Sequence, residues 1–411
     1  MTPEIEKRIK TVQAGRVPAG YKKTAGGIVP NEWNETPLEN CLVEYKEKTT
    51  MANQYPMLTS ARAGLMLQSD YYSGHQVTTD DNVGYNVLPR GYVTFRSRSD
   101  DGRFKFNENN IIDKGIISYF YPVFSFNNHV DHKYMLFLLN ETIYRQMFPY
   151  NEGTAQMVLS FNKLKSLQYF IPPLSEQKKI AEILATQDRV IELKEKLIAE
   201  KQSLKKYLMS VLLGDDFKKP FKLNGVTIDK KKWEKSTIGK ISDISTGNKD
   251  TQNKKDDGKY PFYVRSPNPE RIDTYSYDGE AILTAGDGVG VGKVIYYVTG
   301  KFDFHQRVYK ISDFDNHKAW GRFVYFYFLE HFYNRVKRMS AKNSVDSVRY
   351  SMISEMPLSL PSLPEQKAIA DVLSAADEEI SLLQKGLEQE KLKKKSLMQL
   401  LLTGLVRVAK G

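Results

Sequence analysis

The sequence predicts a mixed α/β (α+β) chain in which two globular domains alternate with two long coiled-coil helices. One observation is an internal repeat: segments 171–213 and 360–402 align without a gap and share a Glu-Gln-Lys sequence near their start. The other is that each copy follows a stretch that opens on a tryptophan, Trp33 or Trp233, and mixes short β-rich runs with one apolar helical run. One architecture is therefore expected to occur twice.

The second copy of the repeat carries a heptad seam whose spacings alternate four and three. Such a seam requires a partner helix that covers it. Its positions are Ile369, Leu373, Ala376, Ile380, Leu383, Leu387, Glu390, Lys394, Leu397 and Leu401.

The first copy divides the same pattern between two lines. The row of side chains that is equivalent to the seam is polar in its middle, while the row beside it on the helix is wholly apolar. Together the two rows form an apolar stripe that is wide enough to contact more than one neighbouring element. The seam-equivalent line is Ile180, Leu184, Gln187, Ile191, Lys194, Ile198, Lys201, Lys205, Leu208 and Leu212, and the flanking line is Ile183, Val190, Leu197, Leu204 and Val211.

Both helices are expected to begin just after a proline-rich lead-in. Pro364 suits the first helical position, and Glu176 and Glu365 suit the positive end of a helix dipole. At roughly 1.5 Å per residue, a helix of about 39 residues is a rod of about 58 Å. Each helix is therefore long enough to act as a spacer.

Length and composition indicate a globular protein of two or three domains. The 411 residues are 41% hydrophobic, which is enough for real cores, and the formal net charge of +11 fits an acidic partner such as nucleic acid. Cys41 is the single cysteine, so a disulfide framework and a thiolate metal cluster are excluded and a reducing cytoplasm is expected. Neither a signal peptide nor a membrane-spanning run is predicted.

Composition shifts and shared features set the predicted boundaries. The apolar helical runs at 132–148 and 321–336 correspond between the two domains. The prediction is an N-terminal arm at 1–30, a first domain at 31–171, a first helix at 172–214, a linker at 215–231, a second domain at 232–360, a second helix at 361–404 and a C-terminal tail at 405–411.

Signatures of catalysis and metal binding are not found in the sequence. The glycine-rich run at 286–292 does not fit the dinucleotide fingerprint. We interpret it as a tight strand-to-strand turn, with phosphate contact through backbone N–H groups and Lys293 as the alternative. His129 and His132 are spaced to share a metal but lack acidic or thiolate companions, so a surface or structural role is favoured. We predict neither a catalytic residue nor a metal site in this chain.

Basic residues interleaved with aromatic and small polar residues are the strongest binding signal. The run 94–106 places several of them on a predicted strand-loop-strand, and the run 247–272 in the second domain is similar. Arginine suits bidentate contact with guanine and with phosphate, although a solvated loop is the alternative interpretation. The predicted DNA-binding residues are Arg62, Arg96, Arg98, Arg103, Lys105, Gln156, Lys249, Arg265, Arg271, Lys293, Arg307 and Arg349.

Taken together, the helices, their lead-ins and the tryptophan-led domains resemble the specificity (S) subunit of Type I restriction-modification systems over essentially the full length. The sequences PPLSEQKKIAEIL and PSLPEQKAIADVL resemble the openings of that family's two spacer helices. The segment ILTAGDGVGVGKVIYYVTGKFDFHQRVY resembles a recurrent segment of its target recognition domains. The doubled helix in this order is specific, whereas a single copy is a weak signal.

The resemblance implies a non-catalytic subunit that binds double-stranded DNA and holds two adenine-N6 methyltransferase (M) subunits, which restriction (R) subunits can join. Two target recognition domains would each read half of an asymmetric bipartite target. Two long antiparallel coiled-coil helices, in a pseudo-twofold repeat, would separate the domains and set the gap. The arm before Trp33 and the tail after the second helix would together replace the linker. No cofactor is expected on this chain, because S-adenosylmethionine, and ATP with Mg²⁺, belong to the partner subunits.

The helix positions that match the family are predicted to serve helix pairing or methyltransferase docking, with core packing inside each half as the alternative. Two other functions stay open: a stand-alone methyltransferase or nuclease with an unfamiliar motif, and a coiled-coil scaffold without a nucleic-acid role. The predicted pairing or docking residues are Leu184, Ile191, Ile198, Leu208, Met209, Ile369, Leu373, Ile380, Leu387, Leu397 and Met398.

Overall fold

The chain folds into two compact units, each a mixed α/β body with its own hydrophobic core. The first unit comprises Met1–Leu193 and Leu387–Gly411, and the second comprises Lys194–Gly386. The predicted mixed α/β class is confirmed. The computed structural model describes residues 2–24, 26–72, 81–147, 157–214, 219–288, 290–339 and 347–408.

Short helices of the first unit begin at residues that cap them. Thr2 accepts a hydrogen bond from the Ile5 N–H at the start of α1, and Ser160 accepts one from the Lys163 N–H at 3.2 Å at the start of α4. In chain order the elements are α1 (Pro3–Gln13), β1 (Tyr21–Thr24), β2 (Gly27–Pro30), β3 (Asn34–Pro37), β4 (Leu42–Tyr45), β5 (Leu58–Ala61), β6 (Gly64–Leu67), α2 (Gln68–Tyr71), β7 (Asn86–Pro89), β8 (Val93–Phe95), β9 (Arg98–Ser99), β10 (Phe106–Glu108), β11 (Lys114–Ile117), β12 (Val123–Phe126), α3 (His132–Met147), β13 (Met157–Val158), α4 (Phe161–Ser166), β14 (Gln168–Ile171) and α5 (Leu174–Leu213).

The rest of the chain repeats this general order with different strand lengths and connections. The aromatic-rich helix α7 takes the place of α3, and a second long helix ends the series. The elements are β15 (Phe221–Leu223), β16 (Val226–Ile228), β17 (Glu234–Thr237), α6 (Ile238–Ile241), β18 (Asp243–Thr246), β19 (Tyr260–Tyr263), β20 (Glu270–Ile272), β21 (Tyr277–Asp278), β22 (Ala281–Ala285), β23 (Ile295–Val298), β24 (Lys301–Phe304), β25 (Val308–Ser312), α7 (Gly321–Met339), α8 (Tyr350–Ser354), β26 (Pro357–Leu360) and α9 (Leu363–Leu401).

A four-stranded antiparallel sheet with the order β10-β8-β12-β4 lies at the centre of the first unit. Val93, Phe95, Phe106 and Phe124 from three of its strands are at most 2% exposed and share a core with α3. Burying a side chain of this size stabilises the fold by roughly 1.5–3 kcal/mol. The sheet is therefore a rigid base for the loops at its edges.

The second unit contains two four-stranded sheets, with the orders β18-β25-β22-β23 and β20-β19-β24-β21. Strand β22 is buried at every position because its two faces enter different cores. Ile282 packs in the core that includes α7, whereas Ala281 and Leu283 pack with Phe302 and Phe304 of β24. This burial fixes the end of β22, from which the glycine-rich run continues.

In both units the first and last strands of the globular domain pair with each other. β3 pairs antiparallel with β14, with Asn34 opposite Ile171, and β17 pairs with β26 in the same way. Since α5 and α9 follow these last strands directly, each helix starts beside the strand that opens its domain. Trp33 and Trp233, which precede the opening strands, are buried, at 1% and 8% exposed.

Segments of α5 and α9 run antiparallel within each unit. In the first unit the start of α5 shares a core with the end of α9, and Gln187 Nε2 donates to Glu390 Oε2 at 2.9 Å. In the second unit the end of α5 shares a core with the start of α9, and Lys201 forms an ion pair with Glu379 at 2.6 Å. The seam-equivalent line of α5, with its polar middle, therefore faces α9.

The starts of the two long helices lie close to the predicted positions. α5 begins directly after its lead-in, but α9 begins at Leu363, so Pro364 is its second residue and not its first as predicted. The N–H of the second residue also has no acceptor within a helix, which is why proline fits there. Within the described ranges, no helix combines the length and apolar character needed to cross a membrane.

The predicted linker and arm contain hairpins that their composition did not indicate. β15 and β16 pair inside 215–231, and Ile228 is fully buried in the hydrophobic core of the second unit that includes α7. The turn between these strands is Asn224-Gly225, whose φ angles of 49° and 81° favour a two-residue hairpin. β1 and β2 pair inside 1–30. The hydroxyl of Tyr21 donates to the Gly404 carbonyl at 2.7 Å, so arm and tail meet in the first unit.

Candidate nucleic-acid interface

A cleft of about 680 Å³ opens on the first unit beside β4 and β9. Four of its lining residues are cationic: Lys46, Lys48, Arg96 and Arg98. Glu44 also lines it, and its carboxylate is paired with Lys46 at 3.4 Å. The excess positive charge favours an anionic ligand.

Strand geometry points Arg96 and Arg98 outward. Phe95 ends β8 in the core, Arg96 is exposed, and after Ser97 the chain pairs with β13 through Arg98 and Ser99. Along this stretch Arg98 is exposed while Ser99 is buried, as the alternation of an extended strand requires. The two predicted arginines therefore lie on one surface, separated by a residue that holds the adjacent loop.

The other basic candidates of the first unit lie elsewhere. Arg62 donates to Asp101 Oδ1 at 2.6 Å, and the Arg103 guanidinium lies 5.7 Å from the ring centroid of Tyr144. Lys105 is exposed as a residue, yet partial burial of its ammonium and the charge of Lys394 on α9 lower its pKa. None of these three lines the cleft. Gln156 lies outside the described residues.

A basic surface of the second unit is built around Asp287 in the glycine-rich run. Arg265 Nη1 lies 2.9 Å from Asp287 Oδ1, and Arg307 Nε lies 3.8 Å from Asp287 Oδ2. The Gly286 N–H donates to the Arg307 carbonyl at 2.7 Å, and a Cβ on Gly290 would lie 2.5 Å from the Arg265 carbonyl. The close backbone approach requires glycine and holds the two arginines side by side.

The glycine-rich run connects β22 to β23, which pair antiparallel. The run therefore connects two strands as predicted, but the connection is not a tight turn, because residues 286–294 lie between β22 and β23. Lys293, which directly follows the run, lines a cavity of about 330 Å³ together with Arg265, and its ammonium lies 5.7 Å from the ring centroid of Tyr333. Three of the predicted cationic residues, Arg265, Lys293 and Arg307, therefore lie on one surface around this connection.

A buried histidine fixes the backbone under this surface. His305 is 2% exposed, and its Nδ1 accepts from the Arg307 N–H at 2.9 Å. Burial and the nearby charge of Arg265 lower the pKa of His305, so the imidazole is neutral at neutral pH. Next to it, the Gln306 N–H donates to the Lys249 carbonyl at 2.8 Å, which brings Lys249 to the edge of the same surface.

Arg349 and Arg271 differ in their positions. The segment before Arg349 joins the glycine-rich run, because the Val348 N–H donates to the Gly286 carbonyl at 2.7 Å. Arg271 instead donates to the carbonyls of Gly258 and Lys259 at 2.8 Å and 3.0 Å. Arg349 is therefore an exposed neighbour of the basic surface, whereas Arg271 stabilises a local connection.

The predicted helix residues fall into two groups. Ile191, Ile198, Ile380 and Leu387 lie along the helices, and three of them are at most 9% exposed. The others pack in the two hydrophobic cores: Leu184, Leu397 and Met398 in the first, and Leu208, Met209, Ile369 and Leu373 in the second.

Several residues of these surfaces were missed by sequence reasoning. Lys46 and Lys48 follow β4, and Tyr119 and Phe120 follow β11, far from Arg96 in sequence. Asp287 was read only as part of a turn. Two adjacent aromatic residues between β-rich runs are the signal that could have identified Tyr119 and Phe120, whereas Asp287 has no basic neighbour in sequence between Arg271 and Lys293 and gave no such signal. Among the described residues, no group of three or more His, Cys, Asp or Glu side chains is placed to hold a metal ion.

Known proteins are similar to this chain in both sequence and fold. A family model described as the Type I restriction modification DNA specificity domain matches residues 36–201 and 230–392. A Methanocaldococcus jannaschii protein, assigned as the MjaX specificity subunit of a type I restriction enzyme, is 24% identical over 428 residues, covering 94% of this chain and 97% of that protein.

Two solved structures share the fold. The S subunit of a Type-I restriction-modification system from M. genitalium has a TM-score of 0.61 at 14% identity, covering 90% of this chain and 96% of that chain. A structure that describes complex assembly and conformational transition of the type I R-M system has a TM-score of 0.55 at 14% identity, covering 92% of this chain and 99% of that chain. These likenesses extend over both units.

Proposed function

The chain belongs to the family of Type I restriction modification DNA specificity domains, and on that premise we propose that it reads a two-part DNA target, one half with each unit. As a specificity subunit of a type I restriction-modification system, it is the non-catalytic component of the enzyme. One observation carries the proposal: the units share a framework but differ in their basic surfaces. The first has Arg96 and Arg98 in a cleft, and the second has Arg265 and Arg307 around Asp287.

The chemistry of the two surfaces supports contact with DNA. Lysine and arginine neutralise phosphates and supply affinity, and arginine reads guanine through paired hydrogen bonds in the major groove. The carboxylate of Asp287 is suited to accept a hydrogen bond from cytosine N4. Surfaces with different side chains suit halves with different sequences, so we propose an asymmetric target.

We further propose that the long helices set the number of base pairs between the two halves. α5 has 40 residues and α9 has 39, and their segments are antiparallel within each unit. Half-sites read from one face of B-DNA lie about 34 Å apart, which is one helical turn. Helices of this length, about 60 Å at 1.5 Å per residue, are sufficient to span that distance.

The proposed partners are double-stranded DNA, two adenine-N6 methyltransferase subunits and, in a restricting complex, restriction subunits. Leu197 and Leu204 on the flanking line of α5 are 37% and 49% exposed, which supports a helix face that a partner covers. S-adenosylmethionine, and ATP with Mg²⁺, would be bound by the partners. The single, buried Cys41 agrees with a reducing cytoplasm as the working compartment.

The test is to co-express the chain with the methyltransferase subunit of its own genome neighbourhood and to map N6-methyladenine across the host DNA. We expect one gapped, two-part motif that appears only when this chain is present. Exchange of residues 33–171 for those of another specificity subunit should change one half of the motif. Arg96→Ala with Arg98→Ala should relax that same half, and Arg307→Ala should relax the other.

Three outcomes would each contradict a part of the proposal. A stable complex that methylates no defined motif would leave assembly as the role of the chain and exclude recognition. Unchanged methylation of both halves in the arginine variants would remove these residues from the interface. Methylation by the chain alone would overturn the non-catalytic assignment.

A further inference from the structure

Two adjacent aromatic side chains of the first unit are held in solvent at the basic cleft. Tyr119 and Phe120 are 56% and 58% exposed, and their ring centroids lie 4.1 Å apart. Both line the cleft that contains Lys46, Lys48, Arg96 and Arg98. Single exposed apolar residues are common on protein surfaces, but a contiguous pair among four cations indicates a binding surface.

The loop that carries the two rings is fixed by side chains of neighbouring strands. Ser97 Oγ donates to the Phe120 carbonyl at 2.7 Å, and Asn86 Nδ2 donates to the Tyr121 carbonyl at 2.8 Å. Thr94 Oγ1 donates to the Pro122 carbonyl at 2.8 Å. Because three separate donors hold consecutive carbonyls, the loop pays little ordering entropy when a ligand binds.

Fold stability does not account for the rings. Both rings leave more than half of their surface in water, so they contribute little burial, and the hydrogen bonds that fix the loop are made by backbone carbonyls that any residue provides. Ser97 lies between the two cleft arginines, so the same bond that holds Phe120 also fixes the loop relative to Arg96 and Arg98. The rings and the cations therefore form one prearranged surface.

The ligand that matches this surface is anionic and also has apolar groups within reach of its charges. Double-stranded DNA has this chemistry in its major groove, where the thymine 5-methyl group is the apolar feature among the base edges. The Phe120 side chain has no hydrogen-bonding atom, so it can recognise a base edge only through such a contact.

We propose that Tyr119 and Phe120 read thymine in the target half bound by the first unit, by apolar contact with its 5-methyl group. Lys46 and Lys48 bind the flanking phosphates and place the rings beside the base edges that Arg96 and Arg98 face. This inference rests on the proposed function, because it assigns a base preference to a surface of the DNA-reading unit.

The test uses the assembled complex with the methyltransferase and the duplex that contains the mapped motif. Thymines of the first-unit half are replaced one at a time by deoxyuridine, which lacks only the methyl group. We expect binding by the unmodified complex to fall about tenfold at one thymine, near the cost of one mismatched base pair. Phe120→Ala or Tyr119→Ala should bind the thymine duplex about tenfold more weakly and should not distinguish thymine from deoxyuridine.

Control variants distinguish a loss of base contact from a loss of phosphate contact and from a loss of folding. Lys46→Ala and Lys48→Ala should each reduce the slope of log affinity against log salt by about 1 and keep the thymine preference, while the ring variants should keep the slope. Phe120→Leu keeps an apolar side chain and should retain part of the preference. Met51→Ala, which changes a 62% exposed side chain of the same unit outside the cleft, should leave binding unchanged.

The outcomes that would overturn the inference differ from those that would overturn the proposed function. Ring variants that keep the affinity and the thymine preference would exclude the rings from base reading, while the two-part motif would still stand. An equal weakening on all sequences, in variants with unchanged thermal unfolding, would place the rings against the DNA backbone and also overturn the inference. If the unmodified complex recognised no two-part motif, the proposed function itself would be wrong.

Discussion

The indole N–H of Trp33 donates to the carboxylate of Glu176, with 3.3 Å between Nε1 and Oε2. Trp233 makes the same contact with Glu365 at 3.4 Å in the second unit. Both carboxylates are buried, at 5% and 8% exposed, so each needs further donors. The first unit supplies an arginine from the C-terminal tail, and the second supplies backbone and serine groups, so the two contacts should respond differently to mutation.

Arg407→Ala should destabilise the first unit by about 2 kcal/mol, because Glu176 would remain buried without a cationic partner. Arg407 Nε and Nη2 lie 2.7 Å and 2.8 Å from the two Glu176 oxygens, and these bonds raise the pKa of Arg407. Urea unfolding with hydrogen exchange resolved by unit would measure the loss.

The control for this variant is Arg189→Ala, which removes an exposed arginine paired with Glu192 on α5. It should change stability by less than about 0.5 kcal/mol. If both substitutions had the same small effect, the tail would not contribute to the stability of the first unit.

Glu365→Gln should make the second unit less sensitive to acid. The N–H groups of Ser362 and Asp229 donate to the carboxylate at 3.0 Å each, and Ser362 Oγ donates at 2.7 Å. Burial raises the pKa of Glu365, but these hydrogen bonds outweigh it and hold the pKa below its ordinary value of 4.5. The stabilisation is therefore complete above that value and is lost as the pH falls through the lower folded-state pKa.

At neutral pH the glutamine variant should be less stable by about 2 kcal/mol, because one amide oxygen cannot accept all of these bonds. The difference from the unmodified protein should narrow on acidification, as followed by urea unfolding at a series of pH values. Glu378→Gln, at an exposed position of α9, is the control and should leave the pH profile unchanged. A constant difference at every pH would contradict the assigned pKa shift.

Leu373→Ala should destabilise the second unit by about 2–5 kcal/mol, because it removes a fully buried side chain of the core and leaves a cavity. Leu382→Ala changes the same residue type on the same helix, but that side chain is 61% exposed, so it should cost less than about 0.5 kcal/mol. Chemical denaturation of both variants provides the comparison. If both variants lost a similar amount of unfolding free energy, the packing of Leu373 would not be what holds α9 against the core.

The heptad spacing was sufficient to predict which face of α9 is buried, but not which line of α5 meets it. Ile369 and Leu373 are fully buried, as the seam predicts. On α5 the wide apolar stripe left open which face meets the other helix, and in the structure the line with the polar middle faces α9. Ion pairs such as Lys201 with Glu379 compensate that polarity, and the periodicity of a single helix contains no information about such pairs.

The candidate surfaces were predictable only where their residues are close in sequence. Arg96 and Arg98 were identified because they alternate after a β-rich run. Lys46 and Phe120 join them because β12 pairs with both β4 and β8, and this pairing brings together loops far apart in the chain. Strand pairing of this range depends on the whole sheet and cannot be derived from local pattern.

Asp287→Asn should strengthen non-specific DNA binding by the complex, because it frees Arg265 and Arg307 from a carboxylate they share. We expect about a threefold to tenfold gain at low salt and a slope of log affinity against log salt that is steeper by about 1. Titration with a duplex that lacks the motif, at several salt concentrations, measures both. Asp371→Asn, which makes the same charge change at an exposed position of α9, is the control and should leave binding unchanged. An unchanged slope in Asp287→Asn would exclude these arginines from phosphate contact.

Leu204→Asp should release the methyltransferase without unfolding the chain. Leu204 is 49% exposed on the flanking line of α5, so a charge there should change the free energy of unfolding by less than about 0.5 kcal/mol. In a complex, the same charge would be buried against an apolar partner face, and the affinity should fall by more than about tenfold. Gln202→Asp places the charge on a different face of the same exposed turn and is the matched control. Co-purification and analytical ultracentrifugation of both variants would measure the difference. If Leu204→Asp kept the methyltransferase while Leu392→Asp, at a 65% exposed leucine of α9, lost it, the docking face would lie on the second helix.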